Sequence, residues 1–174
     1  MAEFEITDEA AELLAPETFR RFYERGLPVV YGYLFRRCGG REDVAMELTQ
    51  QTFLSAVRSL RSGAEVDAPM PWLVSIARRR LVDHYRREEV RRRPHPAPNP
   101  TSPNLWTGEH EADVVAALDQ IPSHYRLALI LRYVDDRPTV EVAELLDRSV
   151  AATESLLAPA RTALADAYEG QRNG

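Results

Sequence analysis

Residues 72–93 concentrate positive charge on one segment with a helical pattern. They read WLVSIARRRLVDHYRREEVRRR and hold eight arginines against three acidic residues, although the whole chain carries a formal net charge of −5. Guanidinium groups at this density repel one another unless an anion neutralises them, and each can bind a phosphate through two parallel hydrogen bonds. The segment therefore predicts binding of a polyanion, most commonly nucleic acid, with a solvated charged surface as the alternative. Such binding should weaken steeply with salt.

A helix through this segment would have one apolar and one cationic side. The apolar side carries Leu73, Val74, Ala77, Leu81, His84 and Tyr85, whereas Arg78, Arg79, Arg86 and Arg87 spread over the opposite side. Asp83 stands four residues from both Arg79 and Arg87 and can pair with either. Trp72 at the helix start fits burial against preceding helices better than stacking on bases.

No arrangement of residues predicts catalysis. The four histidines lie near no Ser or Cys at a nucleophile–base spacing, Asp135 and Asp136 fit a turn, and the single Cys38 allows no internal disulfide. We therefore expect no enzyme activity, no metal site and no cofactor. The chain has no apolar run of 18 residues and an acidic beginning, which predicts no membrane span, no signal peptide and a cytoplasmic location.

The elements that position the basic segment are predicted to be all-α, in two small domains. Residues 94–103, PHPAPNPTSP, contain five prolines, so they form a linker that extends to about residue 110 and separates domains 1–93 and 111–174. In the first domain a helix begins at Pro16 and ends at Gly39 and Gly40, and Gly26 and Pro28 are expected to bend or break it. A second helix over residues 41–60 and a loop over 61–69 precede the basic helix.

The second domain has the pattern of a helix-turn-helix. ADVVAALDQIP and HYRLALILRYV predict two helices, and a turn over residues 135–138 follows. Thr139 and Ser149 are each expected to cap a further short helix, with a tight connection at Asp147 and Arg148.

Taken together, these motifs resemble bacterial RNA polymerase sigma factors of the extracytoplasmic-function group, over about residues 17–93 and 112–168. That family has a D-L-x-Q-E-x-F helix that docks on the clamp helices of the polymerase β′ subunit. The resemblance assigns this docking to Glu47, Leu48, Gln50, Gln51 and Phe53. In that family, residues of a W-L-x-x-I-A-R-N-x-x-x-D-x-x-R pattern contact and melt the downstream promoter element. The resemblance assigns this role to Arg78, Arg79, Arg80, Asp83, His84, Arg86 and Arg87, with Arg79 in place of the usual Asn.

The same resemblance places a flipped base of the nontemplate strand in loop 61–69 and threads linker 94–110 toward the polymerase active-site cleft. The second domain resembles the family's module for the upstream promoter element, through its L-x-x-L-P and E-I-A-x-x-L patterns. Its recognition helix departs from the family, with Glu154, Leu156 and Pro159 where Lys and two Arg are common. The remaining candidates for DNA contacts there are Arg148, Ser149, Thr153, Ser155 and Arg161. Pro159 predicts a kink or a restart of the helix, and Leu156 and Leu157 fit the domain's core better than a protein contact.

The resemblance implies a non-enzymatic sigma factor that binds core RNA polymerase, through β′ and β, and promoter DNA. It also implies an anti-sigma factor as a partner and no membrane partner. One alternative is a sigma-like adaptor whose acidic second domain binds a protein regulator instead of the −35 element. A second alternative, an independent helix-turn-helix repressor, leaves the patterns at Leu48–Phe53 and Trp72–Arg87 unexplained.

Overall fold

The chain folds into helices that belong to two compact units. The computed structural model describes residues 12–91 and 109–172, and within them all regular structure is helical, as the sequence predicts. The first unit comprises residues 1–81 and the second unit residues 82–174, so the division falls inside one helix. The helices are α1 Pro16–Arg37, α2 Glu42–Arg61, α3 Pro69–Arg91, α4 Glu109–Gln120, α5 Ser123–Leu129, α6 Thr139–Leu146 and α7 Val150–Arg172. A π-helical turn, Ile130–Val134, continues α5.

The predicted linker lies mostly outside the described residues. Residues 94–108 of the 94–110 segment lie outside the described residues. Its last two positions already belong to α4, which begins at Glu109.

Helix α1 ends as predicted but is not broken in its middle. Gly39 and Gly40 have φ of 67° and 74°, and the Gly40 N–H donates to the Phe35 carbonyl at 3.0 Å, which terminates the helix. The expected break at Gly26 and Pro28 does not occur, because α1 runs through both residues. Pro28 is exposed, so water can hydrate the carbonyl left without a donor.

Gly26 allows a close approach of helices in the core of the first unit. A Cβ atom there would lie 2.7 Å from Leu73 Cδ2 and 3.3 Å from Phe53 Cζ. The surrounding core consists of fully buried aliphatic side chains, among them Val30, Leu34, Leu48, Leu60, Leu73 and Leu81. Glycine is thus required by space in the middle of a helix.

We expect Gly26→Ala to lower the free energy of unfolding by about 1 kcal/mol. Overpacking against the buried Leu73 costs about 1–3 kcal/mol, and the better helix propensity of alanine returns at most about 1 kcal/mol. Gly32→Ala is the matched control, because its Cβ would lie 3.8 Å from Arg36 Nη1, its nearest neighbour, and should stabilise α1. Urea denaturation of the full chain measures both, and equal stabilisation by the two substitutions would contradict the packing argument.

The beginning of α3 packs into the first unit through Trp72. Its indole is partly buried with Leu13 and Leu14 against Leu60 and Val66, which lie at the end of α2 and in the following loop. The structure confirms that Trp72 behaves as a core residue.

The second unit contains a buried ion pair. The Arg126 side chain is 3% exposed, and its Nη1 lies 2.6 Å from Asp119 Oδ1. Its Nε donates to the Leu118 carbonyl at 2.6 Å. Removal of either partner would leave a buried charge uncompensated, so the pair fixes α5 against α4.

Helix α7 closes the core of the second unit. Leu157 and Ala160 are buried with Ile121, Ala128 and Leu129, and Leu156 packs against them, which confirms the core role favoured for Leu156 and Leu157. Of the kink or restart predicted at Pro159, the restart does not occur, because the helix continues through this residue. Pro159 is exposed, which again leaves the unpaired carbonyl within reach of water.

The two predicted caps have different outcomes. The Ala152 N–H donates to Ser149 Oγ at 3.1 Å, so Ser149 caps α7 as predicted. Thr139 does not cap α6, because it is already the first helical residue and Pro138 occupies the cap position. The ring of Pro138 restricts the backbone where the chain enters α6, and no hydroxyl of Thr139 takes part in capping.

Candidate nucleic-acid interface

Helix α3 presents exposed guanidinium groups opposite a buried side. Leu73, Ala77, Leu81 and Tyr85 are almost fully buried. The exposed arginines of α3 are Arg79, Arg86, Arg87 and its last residue, Arg91; the first three are candidates from the sequence. A helix anchored by its apolar side holds its charged side chains in a fixed order, which suits a regular array of phosphates.

Backbone carbonyls orient two of these arginines. Arg87 Nε donates to the carbonyl of Asp83 at 3.0 Å, one turn earlier. Within the second unit, Arg86 Nη2 donates to the carbonyl of Leu145 at 2.9 Å. Neither contact neutralises a positive charge, so both side chains remain cationic donors at the surface.

The other sequence candidates on α3 lie away from the exposed surface. Arg80 is half-buried, and its Nη2 donates to Ser55 Oγ on α2 at 2.7 Å, so it holds α3 to α2. Arg78 and Asp83 are also half-buried. His84 Nε2 lies 2.8 Å from Glu88 Oε1, and both side chains are largely buried. Three of the seven candidates on α3 are therefore exposed arginines, and the other four are partly buried.

The helix-turn-helix forms in the second unit with a tight turn between α6 and α7. Asp147 adopts φ of 55°, and the Arg148 N–H donates to the Ala143 carbonyl at 3.0 Å. Arg148, Ser149, Ser155 and Arg161 are exposed. Arg161 Nη1 donates to the hydroxyl of Tyr133 at 2.8 Å, a contact that the sequence did not predict.

Thr153 needs a correction as a candidate DNA contact. Its side chain is 0% exposed, and its hydroxyl donates to the Ser149 carbonyl at 3.0 Å. The helical period turns position 153 toward the core with Leu157 and Ala160. We therefore remove Thr153 from the candidate surface.

An apolar groove lies between α1 and α2 in the first unit. It has a volume of about 770 Å³. The residues that line this α1–α2 groove are Phe19, Tyr23, Leu27, Pro28, Tyr31, Met46, Thr49, Gln50, Phe53, Leu54 and Val57. An open apolar surface of this kind is typical of a protein contact.

The groove changes the set of candidate docking residues on α2. Glu47 and Gln50 are exposed, and Gln51 Nε2 donates to Glu47 Oε1 at 2.8 Å. Leu48 is 1% exposed, so it belongs to the core and cannot contact a partner directly. Phe53 is also buried, but its ring forms part of the groove wall, 4.7 Å from the ring of Tyr23.

Two docking candidates were missed by the sequence motif. Met46 and Leu54 line the groove and are 48% and 57% exposed. They stand four residues before and after Gln50, so the three side chains form one stripe along α2. The spacing of these three residues was readable in the sequence, but the helical period alone does not show which side of α2 is buried.

Tyr31 adds a hydrogen-bond donor to the groove. Burial, together with the negative charge of Glu42, raises the pKa of the Tyr31 hydroxyl above its ordinary value. The phenol therefore keeps its proton to a higher pH than an ordinary tyrosine does.

Comparison with known proteins identifies the family. Family models described as Sigma-70 region 2 and Sigma-70, region 4 match residues 22–91 and 111–164. The ECF RNA polymerase sigma factor SigK of Mycobacterium sp. (strain KMS) is 30% identical over 154 residues, which are 80% of this chain and 77% of SigK. The chain belongs to the ECF family of RNA polymerase sigma factors. As a sigma factor it acts in transcription initiation and is not an enzyme.

Two further relatives resemble this sigma factor. BldN of Streptomyces coelicolor, also an ECF RNA polymerase sigma factor, is 34% identical over 87 residues, 48% of this chain and 31% of BldN. Among solved structures, the complex of the sigma factor RpoE with the anti-sigma factor NepR from Bartonella quintana has a TM-score of 0.54 and 21% identity. That match covers 88% of this chain and 98% of the other, and it shows a shared fold.

These matches bear on the alternatives left open by the sequence. The region 4 match spans most of the second unit, so the sigma-like adaptor is not favoured. A helix-turn-helix repressor does not account for the region 2 match over residues 22–91.

Among residues 12–91 and 109–172, no helix is long and apolar enough to cross a membrane.

Proposed function

We propose that this sigma factor melts the downstream promoter element with the exposed arginines of α3. The observation that carries the proposal is the grouping of Arg79, Arg86 and Arg87 on the exposed side of a helix whose other side is buried. Phosphate contacts from a fixed helix set the register of DNA without reading its sequence. Arg80, bonded to Ser55, supports this helix as a positioning residue.

The surface for core polymerase is the α1–α2 groove together with the exposed side of α2. Met46, Gln50 and Leu54 form its apolar and polar stripe, and Glu47 lies beside them. Apolar anchors in a pocket surrounded by polar groups are the usual energetic centre of a protein interface. The expected occupant is the pair of β′ clamp helices, with the β subunit as a further contact of the sigma factor.

The domain roles follow the same division as the sequence. Domain 1–93 binds polymerase and opens DNA, and domain 111–174 binds the upstream element. Segment 94–110 connects the two domains. Loop 61–69 is proposed to receive a flipped base; its buried Val66 anchors a tip whose Gly63 has φ of 79°. Upstream contacts in the second domain are assigned to Arg148, Ser149, Ser155 and Arg161.

An anti-sigma factor is proposed as the regulatory partner. The solved sigma factor with the same fold is in complex with an anti-sigma factor. An apolar groove exposed in the unbound protein is a surface that an inhibitor could cover in competition with polymerase. Because its partners are polymerase and promoter DNA, we propose a cytoplasmic location.

Reconstituted transcription tests the proposed function. We expect core polymerase supplemented with this protein to start transcripts at a defined set of promoters, and core polymerase alone to start none of them. Sequencing of transcript 5′ ends measures this and supplies the promoter sequence. A purified protein that does not bind core polymerase at low salt would refute the proposal.

A further inference from the structure

Two arginines converge on the ring of Tyr133 in the second unit. Arg161 Nη1, from α7, donates to the Tyr133 hydroxyl at 2.8 Å. Arg132 Cζ lies 5.5 Å from the centre of the same ring. Tyr133 is 51% exposed and Arg161 is exposed, so the group lies at the surface. We call Arg132, Tyr133 and Arg161 the Tyr133 cluster.

The cluster keeps hydrogen-bond donors for a ligand. Arg161 has five N–H donors, and its contact with Tyr133 uses one of them. The Tyr133 hydroxyl accepts that bond with an oxygen lone pair, so its own proton is free to donate outward. Arg132 faces one carboxylate, Asp136 Oδ1, at 3.7 Å; Asp136 is 97% exposed, and a pair so long and solvated neutralises little of the charge.

The position of the cluster favours phosphate over base edges. Arg161 stands eleven residues after Val150, the first residue of α7, which corresponds to about 16 Å along a helix. In a helix-turn-helix the first residues of the recognition helix read the bases, and more distant groups contact the backbone. A cluster of two guanidinium groups and a hydroxyl matches the usual donors to phosphate oxygens.

The charge of α7 gives the cluster a particular importance. At the beginning of the helix, Glu154 is exposed and would repel a phosphate. Among the other arginines around the helix-turn-helix, Arg126 is buried on Asp119, Arg137 Nη1 lies 3.3 Å from Glu141 Oε2, and Arg148 is exposed in the turn before α7. The Tyr133 cluster therefore adds two cationic side chains to Arg148, because residues 150–160 of α7 contain no basic residue.

We propose that Arg132, Tyr133 and Arg161 form a phosphate-binding cluster that holds the backbone of upstream promoter DNA on the second unit. The inference rests on the proposed function and names the part of the second unit that replaces the missing basic residues of α7. Tyr133 acts as a positioning residue, because its hydroxyl fixes the Arg161 guanidinium and its ring lies beside Arg132.

The test measures binding of the reconstituted holoenzyme to an upstream duplex at several salt concentrations. Arg132→Gln and Arg161→Gln should each lower the affinity about 3- to 10-fold near 0.1 M salt and reduce the slope of log K against log salt by about 1. The loss should be equal for the promoter duplex and for a shuffled duplex of the same length. Tyr133→Phe, which keeps the ring, should lower the affinity about twofold.

Arg137→Gln is the matched control, since it removes one positive charge already paired with Glu141. It should leave the salt slope unchanged. If Arg132→Gln and Arg161→Gln left the slope of log K against log salt unchanged while the wild type initiated normally, the inference would be overturned and the proposed function would stand. Failure of the wild type to initiate would overturn the proposed function as well. A third outcome concerns polyglutamate as a probe for an acidic protein. If Arg132→Gln and Arg161→Gln abolished binding of the protein to polyglutamate but left DNA binding intact, the phosphate-binding inference would be overturned in favour of an acidic protein partner.

Discussion

Reversal of Arg79, Arg86 and Arg87 to Glu is expected to lower the affinity of the holoenzyme for promoter DNA at least about 100-fold near 0.1 M salt. Each lost phosphate contact forfeits the release of roughly one counterion, and each new carboxylate repels the backbone. All three side chains are exposed, so the buried side of α3 should fold unchanged. Permanganate reactivity of unpaired thymines measures promoter opening, and we expect it to disappear.

The control reverses three arginines on α1. Arg21, Arg25 and Arg36 are exposed on α1 and do not line the α1–α2 groove. Their reversal changes the net charge by the same amount, so it isolates position from total charge. Retained DNA opening by the α3 variant, or equal loss in both variants, would contradict a specific role for α3.

Leu54→Asp is expected to weaken binding to core polymerase roughly 30-fold or more. The side chain is 57% exposed in the free protein, so the substitution should not unfold α2. In the complex it would place a carboxylate in an apolar contact, where the loss of a central anchor commonly costs 2 kcal/mol or more. Fluorescence titration of labelled protein with core polymerase measures the dissociation constant.

Val29→Asp provides the comparison for this measurement. Val29 is 45% exposed on α1 and does not line the groove. Both substitutions introduce the same charge at an exposed aliphatic position of the same unit. We expect Val29→Asp to bind polymerase like the wild type; similar losses in both variants would show that the groove is not the docking surface.

The two experiments separate the role of the α3 arginines from the role of the α1–α2 groove. The α3 variant should bind core polymerase normally and fail to open DNA, whereas Leu54→Asp should fail at the earlier step. Restoration of transcription at high protein concentration is expected only for Leu54→Asp, because mass action compensates weak association but not absent melting.

Local sequence patterns were sufficient for most helix boundaries. Gly39 and Gly40 end α1, and Ser149 caps α7, because these signals act on their own stretch of backbone. Pro28 and Pro159 do not interrupt their helices, because each is exposed and water can satisfy the carbonyl that loses its donor. A local rule about proline does not contain this information about exposure.

The sequence by itself determined the family, the all-α fold and the charged helix, because motif spacing and helical period are properties of the chain. Only the tertiary structure decided which members of each motif reach the surface. Leu48 and Thr153 are turned inward, and Arg80 is held by Ser55, 25 residues away. Arg161 similarly meets Tyr133 across 28 residues. Such contacts depend on how helices pack, and the period of one helix does not specify the side chains that a neighbouring helix brings to it.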